Sequence, residues 1–563
     1  MNVAVLGLKY LLASKARTFE EATKYPIEAQ TKVLFEYIDR NKNTEYGRLH
    51  KFSSIRSVSD YQTLVPLCDS ETIRTYINRM MHGEQNILTK DKVIFFGSTS
   101  GTTSAPKFIP STRYSESKKT QTLDLWSYYI ARDHPDVLDG KILAIISPDI
   151  EGYTEAGIPF GAESGHGYRN LSALVKHLYA LPYEVFEIKD YDARYYSILR
   201  IGMEHNVTDI ATLNPNTLAL LCQKIEPWRD IIIEDIRGGA LSAKFDIPDH
   251  IRKRIGLALR PNPRRAAVLR DIAKERGRLL PKYFWPDLKL IECWKAGTMK
   301  LYLKDLANWF GDVPTRDIGC LATEARSSIP ISDKGAGGVL AVQTNFYEFI
   351  PKEDMGKKKK RILLCDALAK GREYFIIVTT PGGLYRYNID DIIRVDGFFN
   401  RTPVIEFVQK GLSSASLAGE KLYESQVNEA LGRVLDRTKL SVEFFCAVAE
   451  PKSVMTRYIF LAEFCGRPVS RDEKRNFLKI MEEELRRENR EYEFCRNAQL
   501  LKPPVLKTVA KGEFENYRIK RVSSGVHDGQ FKAPELTSDA GFQDNFRIEE
   551  EITLDTSTPL SIY

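Results

Sequence analysis

Short apolar runs alternate with helical stretches along the first half of the chain, and this alternation constrains the fold more than any other feature. Apolar runs of strand length occur at residues 93–96, 141–147 and 209–213. A helical pattern follows the first run at residues 115–132, and an N-P-N turn after the third leads into a helix from Thr217. Buried strands that alternate with helices are typical of α/β folds. The sequence therefore predicts an α/β architecture with mixed sheets.

The pattern changes in the second half of the chain, which indicates two domains. Residues 338–408 are rich in strand-like segments and complete a large N-terminal domain. A smaller α+β unit follows, with helices predicted at residues 421–434 and 471–488 and strands at residues 441–449 and 458–464. A length of 563 residues also exceeds the usual size of one core. We expect an N-terminal domain at residues 1–410 and a C-terminal cap domain at residues 411–563, with Gly411 as a hinge that can absorb backbone rotation.

Composition and charge argue against several classes of partner. Hydrophobic residues make up 43% of the chain and charged residues 28%, as in ordinary globular proteins. The formal net charge of +7 is spread out except at residues 357–361 (K-K-K-K-R), which we interpret as a solvated turn between two strands. No apolar run approaches the roughly 20 residues that span a bilayer. We therefore expect a soluble protein with neither a nucleic-acid partner nor a membrane span.

Cysteine, histidine and the N-terminus indicate the compartment. The eight cysteines are scattered without a C-x-x-C pair, which indicates reduced thiols. The sequence contains neither an H-E-x-x-H motif nor a His/Cys cluster with zinc spacing. The apolar N-terminus is interrupted by Lys9 and lacks the n-region and cleavage site of a signal peptide, so we interpret it as a helix packed on the domain. These features favour a cytoplasmic enzyme.

A polar loop after the first apolar run is suited to binding phosphate. Residues 95–110 read F-F-G-S-T-S-G-T-T-S-A-P-K-F-I-P, which differs from the G-x-x-x-x-G-K-[ST] spacing of P-loop NTPases. Glycine and small hydroxylated residues let backbone N–H groups approach an anion closely, and a lysine adds a positive charge. A polar hairpin turn is the alternative. The residues predicted to cradle the phosphates of a nucleotide are Ser98, Thr99, Ser100, Gly101, Thr102, Thr103 and Lys107.

Three motifs in a fixed order carry a resemblance to a known family. They are the loop S-T-S-G-T-T-S-A-P-K, residues 347–395 with L-Y-R-Y-N-I-D-D-I-I-R-V, and residues 419–427 with G-E-K-L-Y-E-S-Q-V. N-T-E-Y-G at residues 43–47, a predicted turn between helices, and Q-F-K-A-P near Pro534 extend the match over nearly the whole chain. The sequence resembles the plant auxin-responsive acyl-acid amido synthetases (the Gretchen Hagen family) and their bacterial relatives, within the acyl-adenylating superfamily.

This resemblance implies the acyl-adenylate-forming fold and an ATP-dependent ligase. A carboxylic acid and ATP would give acyl-AMP and pyrophosphate, and an amine such as an amino acid would then attack to form an amide. Mg²⁺ is the implied metal cofactor beside ATP. Two alternatives stay open: an adenylate-forming ligase that makes a coenzyme A thioester, and a nucleotide-binding homologue without ligase activity. The sequence identifies neither the acid nor the amine.

By the same resemblance, residues 319–330 (G-C-L-A-T-E-A-R-S-S-I-P) correspond to the adenine and magnesium motif of the family. Ala322 and Thr323 would border adenine and the α-phosphate. Glu324 would hold Mg²⁺ through a carboxylate oxygen, because this hard cation prefers oxygen ligands. The alternative is that Glu324 pairs with Arg326 or is solvated.

The N-I-D-D sequence contains the carboxylate that the resemblance assigns to the ribose. The family usually reads R-x-G-D here, so Asn388 and Asp390 are departures while Asp391 falls on the ribose-binding acid. A carboxylate can accept hydrogen bonds from both hydroxyls of a diol. Pairing of Asp391 with Arg386 or Arg394 is the alternative, and Asp390 is a second candidate for the ribose.

Two lysines of the C-terminal domain are predicted to act on the nucleotide. Lys421 follows the expected hinge in A-G-E-K-L-Y-E, and Lys532 in Q-F-K-A-P resembles a late lysine of the family. Lysines on a rotating cap can neutralise phosphate charge in one half-reaction and withdraw in the other. We expect Lys421 and Lys532 to be catalytic, with Lys421 also binding the nucleotide.

The acid and acceptor pockets have little sequence signal. The loop at residues 151–170 is rich in glycine and aromatic residues and can line one of these pockets, although a purely structural loop is the alternative. Arg113 is a candidate contact for a substrate carboxylate. Cys320 stands near a position where the family often has an aromatic residue.

Overall fold

The structure is a computed structural model, and it describes residues 3–99, 107–296, 299–355, 357–411, 414–415, 417, 420, 422–450, 456–497, 501–524 and 531–554. The helices are α1 (Val3–Ala22), α2 (Pro26–Asn41), α3 (Glu45–Leu49), α4 (Val58–Leu64), α5 (Ser70–Met81), α6 (Arg113–Asp133), α7 (Glu163–Arg169), α8 (Ala173–Lys176), α9 (Tyr191–Gly202), α10 (Pro215–Gly238), α11 (Asp249–Gly256), α12 (Pro263–Arg276), α13 (Pro281–Phe284), α14 (Lys300–Phe310), α15 (Glu424–Thr438), α16 (Arg471–Glu488), α17 (Arg490–Asn497) and α18 (Glu513–Ser523).

The strands are β1 (Val93–Thr99), β2 (Lys107–Thr112), β3 (Lys141–Ile145), β4 (Gly152–Tyr153), β5 (Pro159–Gly161), β6 (Val207–Thr212), β7 (Leu290–Glu292), β8 (Thr315–Arg316), β9 (Ser328–Ile329), β10 (Gly338–Leu340), β11 (Phe346–Pro351), β12 (Glu373–Thr379), β13 (Tyr387–Phe399), β14 (Thr402–Lys410), β15 (Ser414–Ala415), β16 (Leu422–Tyr423), β17 (Ser441–Glu450), β18 (Arg457–Cys465), β19 (Val505–Val509), β20 (Leu536–Thr537) and β21 (Ile548–Thr553). The described chain divides into two compact units, one up to residue 408 and the other from residue 409.

The first unit contains three sheets, with strand orders β2-β1-β5-β4, β3-β6-β7-β8 and β11-β12-β13-β14-β10-β9. All pairs in the β3-β6-β7-β8 sheet are parallel. Its apolar residues form one core with those of α9, α10 and α12. Parallel strands need crossover connections, and the helices that make them cover the sheet.

Two carboxyl groups are buried in the parallel sheet. Asp209 lies on β6 and Glu292 on β7, where Glu292 pairs with Ala211. Burial raises the pKa of both carboxyls, and the negative charge of Asp209 raises the pKa of Glu292 further. Two buried carboxylates repel each other, so this pair keeps a proton to a higher pH than exposed carboxyls do.

Helix α2 is fastened to the six-stranded sheet by buried polar contacts. The amide of Gln30 donates to the carbonyls of Val342 and Asn345 at 2.8 and 2.6 Å. The hydroxyl of Tyr37 donates to the carbonyl of Thr344 at 2.7 Å. Buried polar groups that lose such partners cost free energy, so these bonds fix the helix on the sheet.

The second unit has a five-stranded sheet in the order β20-β17-β18-β19-β21. Successive residues of β17 face opposite sides, as the period of a strand requires. Phe445 and Ala447 join the core formed with α15 and α16. Phe444 and Cys446 join a separate core that includes Tyr517 of α18. Both faces of this sheet are therefore covered.

Most predicted elements are confirmed, with shifted boundaries. The runs at residues 93–96, 141–147 and 209–213 are β1, β3 and β6, and the predicted helix at residues 115–132 is α6. Helix α10 begins at Pro215 rather than Thr217, because the fixed φ of proline suits a first helical turn.

Two local predictions need correction. N-T-E-Y-G begins helix α3 rather than forming only a turn, because the Thr44 side chain accepts a hydrogen bond from the N–H of Gly47 at 3.0 Å. The helix predicted from residue 421 begins at Glu424, after β16. The basic run at residues 357–361 is largely exposed between β11 and β12, as predicted, although Lys357 and Arg361 both bind the carboxylate of Asp354.

Among the helices that the structure describes, none combines the length and the apolar character needed to cross a membrane.

Candidate active site

Strands β1 and β2 form a hairpin on either side of the predicted phosphate loop. Ser98 pairs with Phe108, and Thr99 pairs with Lys107, so Lys107 lies opposite the last residue of β1. The hydroxyl of Ser98 is buried and donates to the carboxylate of Glu151. The remaining predicted loop residues lie outside the described residues: Ser100, Gly101, Thr102 and Thr103.

Gly97 on β1 packs directly against the predicted adenine and magnesium motif. A Cβ atom at Gly97 would lie 2.4 Å from Cγ2 of Thr323 and 2.9 Å from Oε1 of Glu163. Non-bonded carbon atoms normally stay about 3.5–4.0 Å apart, so a side chain does not fit here without movement. Two motifs that are distant in sequence are therefore in contact at this glycine.

A tight turn contains Ala322, Thr323 and Glu324, the three candidate residues of that motif. The N–H of Ala322 donates to the carbonyl of Ala325 at 2.9 Å. Ala322 and Thr323 are half-buried, whereas Glu324 is buried with 8% of its surface exposed. Within the described chain Arg326 makes no ion pair with a carboxylate, so the alternative of a Glu324–Arg326 pair is wrong.

Asn388 and Asp390 in N-I-D-D differ from the family pattern, and Asp390 has a backbone conformation that glycine favours. Asp390 has a φ of 62°, in the left-handed region. Its N–H donates to Oδ1 of Asn388 at 3.0 Å. Asp and Asn tolerate this region better than other residues with a side chain. Asp390 thus adopts the conformation expected of the glycine in R-x-G-D, and Asp391 follows it on β13 as a buried carboxylate.

The two arginines considered as partners of Asp391 bind other carboxylates. Arg386 donates two hydrogen bonds to Glu348, at 2.8 and 2.9 Å, and both side chains are buried. Arg394 donates to Asp396 and Glu406. The charges of Arg386 and Arg394 are therefore balanced by carboxylates other than Asp391.

The turn and strand β13 lie close to each other. Burial raises the pKa of the Cys320 thiol, and the negative charges of Asp317 and Asp391 raise it further. Burial also raises the pKa of Tyr387 at the start of β13, with an added effect of the Glu324 carboxylate. Electrostatic effects of this kind fall off with distance. Glu324 and Asp391 therefore belong to one region of the first unit.

A small cavity of about 20 Å³ lies beside Glu324. One wall is α6, which contributes Lys118 and Lys119, and the turn contributes Glu324 and Arg326. This volume is enough for a water molecule. The apolar part of the lining consists of Ile109, Pro110, Ala325 and Pro381.

The two lysines of the cavity wall have carboxylate partners. Nζ of Lys119 lies 2.7 Å from Oε1 of Glu163. Nζ of Lys118 lies 3.1 Å from a carboxylate oxygen of Glu36. Their charges are thus largely balanced within the protein.

The loop at residues 151–170 supplies strands β4 and β5 and helix α7. Strand β5 pairs in parallel with β1, with Gly161 opposite Gly97. Neither this loop nor Arg113, which is exposed at the start of α6, belongs to the cavity lining within the described chain. The loop instead places Glu151 and Glu163 against β1.

The C-terminal unit holds one of the two predicted lysines in an ion pair. Nζ of Lys532 lies 2.7 Å from Oε1 of Glu424, which is buried at the start of α15. Lys421 lies outside the described residues, and Gly411 directly follows β14. Across the described residues, no group of three or more His, Cys, Asp or Glu side chains is arranged to hold a metal ion by itself.

Sequence reasoning missed Gly97 and Glu163. A glycine inside an apolar strand often marks a close backbone approach, so F-F-G-S contained a usable signal for Gly97. Nothing in the local sequence pointed to Glu163, whose role follows from the pairing of β5 with β1.

Family models match almost the whole chain in order. The model described as "GH3 family N-terminal domain" matches residues 15–315, "GH3 family central domain" matches residues 338–410, and "GH3 family C-terminal domain" matches residues 424–541.

Curated relatives and a solved structure agree with these matches. The chain is 26% identical over 546 residues to an indole-3-acetic acid-amido synthetase, GH3.4, of Arabidopsis thaliana, which covers 92% of this chain and 90% of the relative. It is 25% identical over 552 residues to a jasmonoyl-L-amino acid synthetase, GH3.5, of Oryza sativa subsp. japonica, with coverage of 92% and 94%. The solved structure of GH3.15 acyl acid amido synthetase superposes with a TM-score of 0.83 at 22% identity and covers 95% of this chain and 96% of that one. The expected fold class is confirmed.

Proposed function

The chain belongs to the GH3 family, and from this premise we propose that it is an ATP-dependent ligase that activates a carboxylic acid as acyl-AMP and transfers the acyl group to an amine. The curated relatives are named for amides between an acid and an amino acid, and we propose an amino acid as the amine here. The eight cysteines are free, which supports a reducing, cytoplasmic compartment.

The observation that carries this proposal is the contact of Gly97 with Thr323. Adenylation needs the phosphates, the ribose and the metal ligand at one place. Gly97 brings the end of β1 against the turn that contains Glu324. The electrostatic effects on Cys320 and Tyr387 put Asp391 and Glu324 in the same region.

These residues suit the groups of ATP and its metal. Mg²⁺ is commonly bound by one or two carboxylates together with substrate phosphates, so the single buried Glu324 fits it without a cluster of protein ligands. Asp391 would accept hydrogen bonds from the ribose hydroxyls. Ser98 and Lys107 flank the loop that would contact the phosphates. When bound, Mg²⁺ would neutralise phosphate charge.

The protein's part in the reaction would be positioning and electrostatic stabilisation. A carboxylate oxygen of the acid forms a bond to the α-phosphorus, and the bond from that phosphorus to the bridging oxygen breaks as pyrophosphate leaves. A neutral amine then attacks the acyl carbon, the bond from that carbon to the phosphate oxygen breaks as AMP leaves, and the amine nitrogen loses a proton to solvent. We propose residues 1–410 as the adenylation domain and residues 411–563 as the cap, whose Lys421 and Lys532 would act on the phosphates.

Acid-dependent exchange of pyrophosphate into ATP tests this function. The enzyme would be assayed with a panel of aryl, indolyl and fatty acids, and then with each active acid plus amino acids or coenzyme A. We expect exchange that depends on the acid, and amide rather than thioester as product. Asp391→Asn is the negative control. It should lose exchange while keeping its fold. Absence of exchange with every acid, or thioester as the sole product, would overturn the proposal.

A further inference from the structure

Basic side chains concentrate on helix α11, the first half of α12 and the connection between them. Residues 250–270 contain seven arginine or lysine residues and neither aspartate nor glutamate. The formal net charge of the whole chain is also +7. Other residues separate these basic ones, unlike those of the continuous run at residues 357–361. One short segment therefore carries as much positive charge as the net charge of the entire protein.

Most of this charge is exposed and is not balanced by carboxylates. The exposed basic side chains are Lys253, Arg254, Arg260, Arg264 and Arg270. Arg254 lies 3.7 Å from Glu184, and Arg270 lies 4.0 Å from Glu234, which also binds Arg237. Exposed ion pairs of this kind are weak. The other three exposed side chains make no ion pair with the described residues, so the segment presents a positive surface to solvent.

An apolar side chain lies in the middle of this charge. Leu257, at the end of α11, is the most exposed large hydrophobic side chain in the described part of the protein, with 77% of its surface exposed. Its N–H donates to the carbonyl of Lys253 at 3.1 Å, one helical turn earlier, so these two side chains share a face. The guanidinium of Arg260 donates to the carbonyls of Leu257 and Leu259 at 2.8 and 2.7 Å. Leu257 is therefore flanked by positive charge on both sides.

The connection between α11 and α12 is held in place by the end of α10. The N–H of Asn262 donates to the carbonyl of Ile236 at 2.9 Å. A Cβ atom at Gly239 would lie 2.4 Å from the nitrogen of Pro261, so the two backbones are in close contact. The side chain of Asn262 also caps α12 by accepting from the N–H of Arg265 at 3.0 Å. We call the surface formed by Lys253, Arg254, Leu257, Arg260 and Arg264 the α11–α12 surface, and these contacts fix its backbone before any partner binds.

An exposed leucine among basic side chains fits an anionic membrane surface better than a nucleic acid. Basic groups are attracted to the anionic headgroups of the cytoplasmic leaflet, and an apolar side chain gains free energy when it enters the boundary between headgroups and acyl chains. Binding of single-stranded nucleic acid typically uses aromatic side chains that stack on bases, and residues 250–270 contain no phenylalanine, tyrosine or tryptophan. A duplex would engage the charges but would gain nothing from Leu257.

We propose that the α11–α12 surface binds the surface of membranes that contain anionic lipids, with Leu257 inserted among the headgroups. The protein would lie on the membrane rather than span it. This inference goes beyond the proposed ligase function and does not depend on it.

Sedimentation of the full chain with lipid vesicles tests the proposal. Vesicles of phosphatidylcholine with about 30% phosphatidylserine would be compared with pure phosphatidylcholine vesicles. We expect binding only to the vesicles that contain phosphatidylserine, and its loss when salt is raised from about 0.1 M to about 0.5 M, because salt screens exposed charges. Absence of binding at the lower salt concentration, or equal binding to both kinds of vesicle, would overturn the proposal.

Two variants locate the binding on the α11–α12 surface. Lys253 and Arg264 make no side-chain hydrogen bond with the described residues, so the double variant Lys253→Gln with Arg264→Gln should keep the fold, which its thermal midpoint would check. Each basic residue near a membrane strengthens binding about fivefold, so this variant should bind roughly 20- to 30-fold more weakly. The matched control is Lys358→Gln with Lys359→Gln, which removes the same charge from the exposed run at residues 357–361 and should bind like the wild type. Wild-type binding by the first variant, or an equal loss in the control, would overturn the assignment to this surface.

Leu257→Ser distinguishes a membrane from a nucleic acid. We expect it to weaken vesicle binding roughly 3- to 10-fold, because the apolar contribution is lost while every charge remains. Unchanged vesicle binding by this variant would overturn the insertion of Leu257. A short DNA duplex would be tested in parallel, and tighter binding of the wild type to the duplex than to the vesicles would also overturn the proposal. Since sedimentation needs no turnover, failure of pyrophosphate exchange would overturn only the proposed ligase function.

Discussion

Replacement of Gly97 by alanine tests whether the contact between β1 and the turn is needed for adenylation. The new Cβ would lie 2.4 Å from Cγ2 of Thr323, more than about 1 Å closer than carbon atoms normally approach. The strand or the turn must therefore move by about that amount. Overpacking of this kind costs about 1–3 kcal/mol, and a displacement of about 1 Å between reacting groups can lower a rate about 100-fold.

The assay is acid-dependent exchange of pyrophosphate into ATP, with the thermal midpoint measured in parallel. We expect Gly97→Ala to lower kcat/KM roughly 100-fold and the stability only modestly. The double variant Gly97→Ala with Thr323→Ser removes the clashing Cγ2 and should recover a large part of the loss, relative to Thr323→Ser alone. Gly256→Ala is the control, because its Cβ would meet nothing within 4 Å. Wild-type exchange in a stable Gly97→Ala variant would refute the reasoning.

Four further predictions concern single residues. Glu324→Gln should raise the Mg²⁺ concentration for half-maximal exchange about tenfold or more, and an unchanged magnesium titration would return this residue to a structural role. Asp391→Ala should raise the KM for ATP by the equivalent of about 2–4 kcal/mol, and wild-type affinity for ATP would contradict the ribose assignment. Gly411→Pro should slow exchange and amine transfer unequally, and equal loss of both rates would argue against a hinge there. Burial raises the pKa of Asp209 beside Glu292, so the native state keeps a proton that the unfolded state loses above about pH 4, and stability should fall as pH rises. Asp209→Asn should weaken this fall by up to about 1.4 kcal/mol per pH unit, measured by urea unfolding at pH 5, 6 and 7.

The sequence predicts elements whose signals are local. The apolar run of β1 and the helix α6 follow from patterns within the segments themselves, and Thr112 and Ser115 form a reciprocal cap at the start of α6. The corrected boundaries also have local causes, such as the cap at Thr44. These elements could be predicted because neighbouring residues decide them.

The parts of the site that escaped prediction depend on contacts between distant segments. Thr323 had no sequence signal for its contact with Gly97, since only the folded chain brings β1 to the turn. Asp390 departs from the glycine of R-x-G-D, yet its backbone adopts the left-handed conformation and its N–H donates to Asn388. In the sequence, Arg326 is only an alternative partner for Glu324, whereas the structure places its guanidinium over the ring of Trp126.

The fastening of α2 has a consequence for synthesis on the ribosome. The partners of Gln30 and Tyr37 are separated from them by 307 to 315 residues along the chain. At about 5–20 residues per second, the nascent helix must wait roughly 15–60 s before its binding site on the sheet has been translated. During that interval the apolar face of α2, which includes Val33 and Leu34 of the native core, is exposed to solvent and available to a chaperone.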